Sequence, residues 1–252
     1  MSRSTLMTSL ALSLVLFNSG CGGGSSSKLV HTESLDFKTS ATYDLSQYIV
    51  PSQNQLSTFM ERTYKDTDGN KIYGGTPTKT SEMTQRYEVD NASVKEYGAT
   101  GHLDTTYTIT QTAITQLLSN TDSLLIDNTV KTVRYADLGD PIANSIVNIP
   151  LEILNNNAEM TLTCRLQDHF ETQKINTKTF DDVVTVACQG FVDSDITYQS
   201  IPISLMMTLT STTYYAKSIG EIGFVDETCY TVNSTQTVQQ CTKTISEIAS
   251  IL

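Results

Sequence analysis

The chain has 252 residues, 38% of them hydrophobic and only 17% charged, with a formal net charge of −11. The polar remainder is Thr, Ser, Asn and Gln rather than charge. That argues against a strongly charged disordered chain and suits strands with Thr-covered outer faces. The acidic balance, with no basic stripe, argues against nucleic-acid partners and against electrostatic adhesion to an anionic membrane.

Residues 1–20 read as an export signal. Arg3 is the positive head, and the apolar stretch 6–17 has 12 residues, too few to cross a hydrocarbon core of roughly 30 Å as a helix. Ser19 and Gly20 then precede Cys21. This resembles the lipobox of bacterial lipoproteins, in which the cysteine after the cleavage point is acylated, although Asn18 stands where Leu is usual. The run Gly22-Gly23-Gly24-Ser25-Ser26-Ser27 has no side chains to pack and forms a flexible tether. The expected organisation is a signal at 1–20, a lipid anchor and tether at 21–35, and one β-rich domain at 36–252. Gly22 rather than Asp after the cysteine implies, by the sorting rule of enteric-type bacteria, the outer membrane, facing periplasm or cell surface. The alternative is ordinary secretion with a free Cys21.

Down the chain, 36–48 contains alternating segments, and the stretches 56–64 and 71–74 flank Asp68-Gly69, a hairpin-turn signal. Stretches 83–89 and 94–97 read as paired strands, and 105–109 as extended. The stretch 111–119 is ambiguous, with Ile114, Leu117 and Leu118 at helical spacing but a Thr content that favours strand. Stretches 124–135 and 146–154 read as extended, the latter interrupted by Pro150. In 160–171 the even positions Met160, Leu162, Cys164 and Leu166 form one apolar face, and in 183–192 so do Val184, Val186, Cys188 and Val192. Folded as a hairpin turning near Asn176-Thr177, they set Cys164 opposite Cys188, Leu166 opposite Val186 and Met160 opposite Val192. The odd positions Ile203, Leu205, Met207 and Leu209 make another apolar face, and 219–230 is the next strand, with Ile222 and Phe224 together. Thr244 and Glu247 form a capping box, and Ile245, Ile248 and Leu252 share a helical face, which predicts a short C-terminal helix.

With Cys21 assigned to lipid, four cysteines remain, an even number in an exported chain. The hairpin register favours Cys164–Cys188, which leaves Cys229–Cys241. A zinc or redox site is disfavoured, because no cysteines stand at CxxC spacing and no histidine pair accompanies them. The fold expected from these elements is mainly β: a single antiparallel curved sheet, half-barrel or open barrel, with the C-terminal helix appended.

Two segments, Thr213-Tyr214-Tyr215-Ala216-Lys217-Ser218-Ile219-Gly220-Glu221-Ile222 and Phe180-Asp181-Asp182-Val183-Val184, resemble stretches of uncharacterised bacterial periplasmic and lipoprotein families. Those families are similar to the half-barrel of lipoprotein-localisation factors, whose curved sheet cradles acyl chains. The resemblance covers roughly 160–230, with Ser218 in place of a glycine. It implies that fold and an apolar ligand, and it carries over no catalytic residues.

His31, His102 and His169 are the three histidines, and the sequence contains no H-E-x-x-H, no G-x-S-x-G and no Gly-rich phosphate loop. Asp66-x-Asp68-Gly69-Asn70 begins like a calcium loop, but Pro77 occupies the position of the bidentate Glu, so a turn explains it better. Asp181-Asp182 fits a solvated turn, and Asn91-Ala92-Ser93 and Asn233-Ser234-Thr235 match glycosylation sequons by chance. Leu205, Met206, Met207, Tyr214 and Tyr215 line either an apolar pocket or ordinary sheet packing. No catalytic residue, metal or cofactor is expected. The leading expectation is a non-enzymatic envelope lipoprotein with a lipid-like ligand or an accessory role. The alternatives are a protein- or glycan-binding surface module and a hydrolase with a dispersed site. The Cys21→Ser variant is expected to lose incorporation of labelled palmitate and to leave the membrane fraction; unchanged labelling would refute the anchor.

Overall fold

Period-two alternation dominates the chain, so nearly every element is a strand. The computed structural model describes residues 32–66, 71, 73–90, 93–119, 128–151, 156–198, 201–233 and 237–252. The predicted signal, Cys21, the Gly/Ser tether, His31, Asp68-Gly69-Asn70, Asn91-Ala92 and Ser234-Thr235 lie outside them. The elements are β1 (Tyr43–Asp44), α1 (Ser46–Ile49), β2 (Gln55–Asp66), β3 (Lys79–Asp90), β4 (Ser93–Tyr97), β5 (Leu103–Ile109), β6 (Ala113–Leu118) and β7 (Thr129–Val133). They continue as β8 (Tyr135–Ala136), β9 (Pro141–Leu151), β10 (Asn156–Ile175), β11 (Lys178–Tyr198), β12 (Ile201–Ala216), β13 (Gly220–Asn233) and β14 (Thr237–Ile251).

Twelve of the strands form a closed antiparallel barrel in the order β10-β11-β12-β13-β14-β2-β3-β4-β5-β6-β7-β9, with β9 pairing β10; β1 and β8 make a separate ribbon. The mainly β expectation holds, but the single open curved sheet does not. β14 pairs β2, joining the last strand to the first strand of the barrel, and β7 meets β9 at one position, which closes the ring. The predicted C-terminal helix is also overturned, because 237–251 is strand. In it Ile248 and Thr244 face inward and are buried, while Glu247 faces out and holds Arg62 at 2.7 Å. Pairing on both flanks, to β13 and β2, satisfies this segment's backbone more fully than a short isolated helix could. The ambiguous 111–119 stretch is strand β6. The partner of β2 is β3, not the 71–74 stretch.

The β10–β11 hairpin pairs Cys164 with Cys188 and Leu166 with Val186, and turns at Asn176-Thr177 with Asn176 at φ 55°. Turn and cysteines are out of step by one residue, and an irregularity between Leu166 and Asp168 absorbs the difference. Disulfides join Cys164 to Cys188 and Cys229 to Cys241, with Cα atoms 4.0 and 4.1 Å apart. Both bridge directly opposed residues, and each contributes ~2–4 kcal/mol. The first is on the inner face. The second is on the outer face but buried, and Lys71 and Tyr73 nearby donate to Glu227 at 2.5 and 2.9 Å. At the β12–β13 turn, Ser218 itself adopts the left-handed conformation (φ 66°) where the resembling families carry glycine, with Gly220 at φ 88°.

The two faces differ in chemistry. Inward residues include Met160, Leu166, Val186, Met207, Phe224, Ile248 and Phe59, all buried. Exposed outward residues include Glu82, Arg86, Lys95, Lys131, Arg165, Gln189, Thr208 and Thr210. The wall is also uneven, since β10 to β14 run 14 to 21 residues while β4 to β7 run 5 to 7.

At one end, called the near end, residues 32–50 complete the barrel. α1 brings Tyr48, Ile49 and its N-cap Leu45 into a core with Tyr87, Val94, Tyr107, Ile114, Ile142, Leu166 and Val184. The same segment stitches the seam where β7 and β9 pair only at Thr132 and Ala143. The Leu45 amide donates to the Arg134 carbonyl at 2.7 Å, Lys38 bonds Asp140 at 2.9 Å, and Arg134 grips Asp44 with Nε at 3.0 Å and Nη2 at 2.8 Å. Burial pushes the Asp44 carboxyl up, but Arg134 and Ser46 outweigh it and hold it below the usual range. The Arg134→Ala variant is expected to lose about 1.5–3 kcal/mol, because a largely buried carboxylate loses a bidentate partner. Urea unfolding of the wild type and variant measures this, and a change under 0.5 kcal/mol would refute the role.

Candidate functional site

Eight strands make a barrel that side chains or one small ligand can fill; twelve enclose more. The near end is filled by α1. Towards the other, far end, the tall wall of β10 to β13 presents Met160, Leu162, Val192, Leu205, Met207 and Leu209, with Tyr230 and Val232 packed against them. Gly190 lies bare beneath this patch. A Cβ there would lie 2.4 Å from Leu162 Cδ2 and 2.5 Å from Met160 Sδ, so both side chains close over the bare backbone.

Across the ring, β2 to β5 carry the opposite chemistry. Gln55, Ser57, Gln85, Glu96, Asp104 and Thr105 are all buried. Tyr107 donates its hydroxyl to Glu96 Oε2 at 2.7 Å, Tyr87 to Gln85 Oε1 at 2.9 Å, and Gln55 Nε2 to Ser57 Oγ at 3.1 Å. The inside of the barrel is therefore mixed: the far-end patch of β10 to β13 is apolar, while buried polar residues lie both on β2 to β5 and on β11 to β14, where Thr185, Thr213, Glu221, Asp226, Thr244 and Ser246 are buried. Gln85 and Tyr87 share their face with Met83, and that mixed face in 83–89 was the available sequence signal. Asp104 gave none, because it reaches the inside through a register irregularity between Glu96 and Tyr97.

The densest polar constellation lies at the near end, around Asp182. Asp182 sits at φ 52° where β11 bends, and Tyr48 donates to its Oδ1 at 2.7 Å, Lys217 to its Oδ2 at 2.9 Å, and His169 Nε2 lies 3.0 Å from Oδ1. Burial pushes this carboxyl up, but the Tyr48, Lys217 and His169 bonds outweigh it and bring it down to about 2. The Tyr43 ring lies 5.3 Å from His169. Histidine and carboxylate meet, as a hydrolase would need, yet the carboxylate is committed to three partners from α1, β10 and the β12–β13 turn. Among the described residues no serine, threonine or cysteine hydrogen-bonds the His169 ring. This chemistry joins the plug to the wall. The expected solvated turn at Asp181-Asp182 is corrected for Asp182.

The other candidates are dispersed. The His102 carbonyl accepts from the Gly98 amide at 3.1 Å in the β4–β5 turn. Leu205 and Met207 face inward, Met206 outward and exposed. Asp66 Oδ2 accepts from the Lys71 amide at 2.6 Å, as a turn residue does. No group of three or more His, Cys, Asp or Glu among the described residues could hold a metal. On the outer face of β10 to β12, Arg165, Gln167, Gln189, Thr210 and Thr212 line a groove of about 390 Å³ over Ala187.

The depressed Asp182 pKa sets a sign. Its contribution to stability is fully present above the unfolded carboxyl value near 4 and is lost as pH falls through about 2. The carboxylate is a third exposed, so solvent screening limits the effect to about 1 kcal/mol. The Asp182→Asn variant is expected to be less stable than wild type at pH 7 by that amount, with the gap shrinking towards zero as pH falls from 4 through about 2, read from urea midpoints; a gap at pH 2 as large as at pH 7 would refute the account. No family model, no curated protein and no solved structure matches the chain.

Proposed function

We propose that the chain is a non-enzymatic lipoprotein of the cell envelope, anchored to the outer membrane through lipid on Cys21, whose barrel takes up a lipid-like apolar ligand. The observation that carries this reading is the inward apolar wall of Met160, Leu162, Val192, Leu205, Met207 and Leu209, in a twelve-strand barrel plugged at the other end by α1. Apolar surface turned inward holds a hydrocarbon chain at roughly 25 cal/mol per Å² removed from water. The polar outer face supports a barrel standing in water, since a membrane-spanning one carries its apolar band outside. The anchor and tether then hold it near a membrane surface, where such ligands are found. The resemblance of 160–230 to lipoprotein families with an acyl-chain-cradling sheet supports the same reading. Here the cradle is closed into a barrel.

A glycan- or protein-binding module is the second reading, favoured by the outer groove of Arg165, Gln167, Gln189, Thr210 and Thr212. Phe191, exposed on the same face of β11 two residues beyond Gln189, offers a ring for a sugar to stack on.

Native mass spectrometry of the mature domain from Ser25 onward, before and after organic extraction, tests the first reading. A lipid adduct lost on extraction is expected, and the Met207→Glu variant, with a charge on the apolar wall, is expected to carry about tenfold less. A bare wild-type mass that takes up no neutral apolar dye would overturn it.

A further inference from the structure

We infer that the lumen selects an amphiphile with an uncharged, hydroxyl-bearing head over one with an anionic head; this rests on the lipid-carrier reading. Among the described residues, two buried polar side-chain atoms on β2 to β5 have no hydrogen-bond partner. Gln85 is 1% exposed, and its Nε2 donates to nothing although its Oε1 is held by Tyr87. Asp104 is 8% exposed, and its Oδ2 likewise has no hydrogen-bond partner. A buried donor and a buried acceptor left unmade each cost free energy that a suitable ligand atom would recover.

Register brings the two together. Arg86 pairs with Tyr97, so one step further Gln85 stands across from Gly98. A Cβ on Gly98 would lie 2.5 Å from Asp104 Oδ2, so the carboxylate rests directly over this glycine. Gln85 and Asp104 are thus both brought towards the backbone of Gly98, just past the end of β4, which carries no side chain of its own. Glu96, held by Tyr107 at 2.7 Å, lies on the same inner face two residues before Gly98.

The chemistry of the pair discriminates between heads. A hydroxyl accepts from the Gln85 amide and donates to the Asp104 carboxylate, satisfying both with one group. A carboxylate or phosphate head would accept from Gln85 but face Asp104 and Glu96 with like charge inside a low-dielectric wall. Burial raises the Asp104 pKa, so at neutral pH its charge is held at a cost that a donor lowers and an anion increases. The hydrocarbon chain would then lie along Leu162, Leu205 and Met207 on the facing wall.

Displacement of N-phenyl-1-naphthylamine from the mature chain, from Ser25 onward, tests this at pH 7.5 with 1-monopalmitoylglycerol, hexadecanol and palmitate. The two neutral ligands are expected to displace the dye at about tenfold lower concentration than palmitate. In Asp104→Leu, and in the double variant Gln85→Leu with Asp104→Leu, that ratio is expected to fall to about threefold or less. The ratio is internal to each variant, so a change in total binding capacity does not affect it. Dye uptake with palmitate equal to or better than the neutral ligands overturns the head-group preference and leaves the carrier reading standing. So does a tenfold ratio that survives both variants. No dye uptake by the wild type overturns both.

Discussion

Barrel closure depends on a seam that the sheet itself scarcely makes. β7 and β9 pair at one position, Thr132 with Ala143, and between them the chain leaves the barrel as β8. Backbone groups left unpaired there would cost free energy and present an edge to other chains. Residues 32–50 supply what is missing. β1 pairs β8, Leu45 bonds the Arg134 carbonyl, Arg134 clasps Asp44, and Lys38 reaches Asp140. The same segment then turns inward as α1 and fills the end of the barrel, so closing the wall and plugging the lumen are one structural event.

The plug is itself held by charge. Tyr48, Lys217 and His169 converge on Asp182, and that carboxylate joins α1 to the bent β11 and to the turn carrying Ser218. The Ser218 amide also bonds the Gln47 carbonyl, and the Ser52 amide bonds the Ser218 carbonyl, which explains why a serine is held there at positive φ. With the near end fixed, β10 to β13 carry an apolar patch towards the far end, while Gln85, Glu96 and Asp104 are buried on β3 to β5.

The strand alternation was legible wherever one face was strongly apolar. Met160, Leu162, Cys164 and Leu166 announced both their face and their partners, and the cysteines fixed the register of the β10–β11 hairpin. The alternation failed at the C-terminus. There Ile245, Ile248 and Leu252 mimic a helical stripe, yet in the barrel Ile245 and Ile248 lie on opposite faces of β14. Thr244 and Glu247, the apparent capping box, are instead a buried inward residue and the outward partner of Arg62. The polar wall was illegible for a related reason. Gln85, Glu96 and Asp104 look like solvent-facing residues until the register turns them inward.

By itself, then, the sequence determined a β-rich domain, the inner face of its second half and the pairing of Cys164 with Cys188, because these depend on local composition and period-two spacing. Only the tertiary structure decided that the sheet closes, that the last strand joins β2, that residues 32–50 plug the near end and that Tyr48 meets Asp182. Those outcomes depend on contacts between residues tens to more than a hundred positions apart, such as Tyr48 with Asp182 or Arg134 with Asp44. Neither partner of such a contact signals the other through its neighbours in the chain, and the free energy that selects them exists only once the barrel has formed.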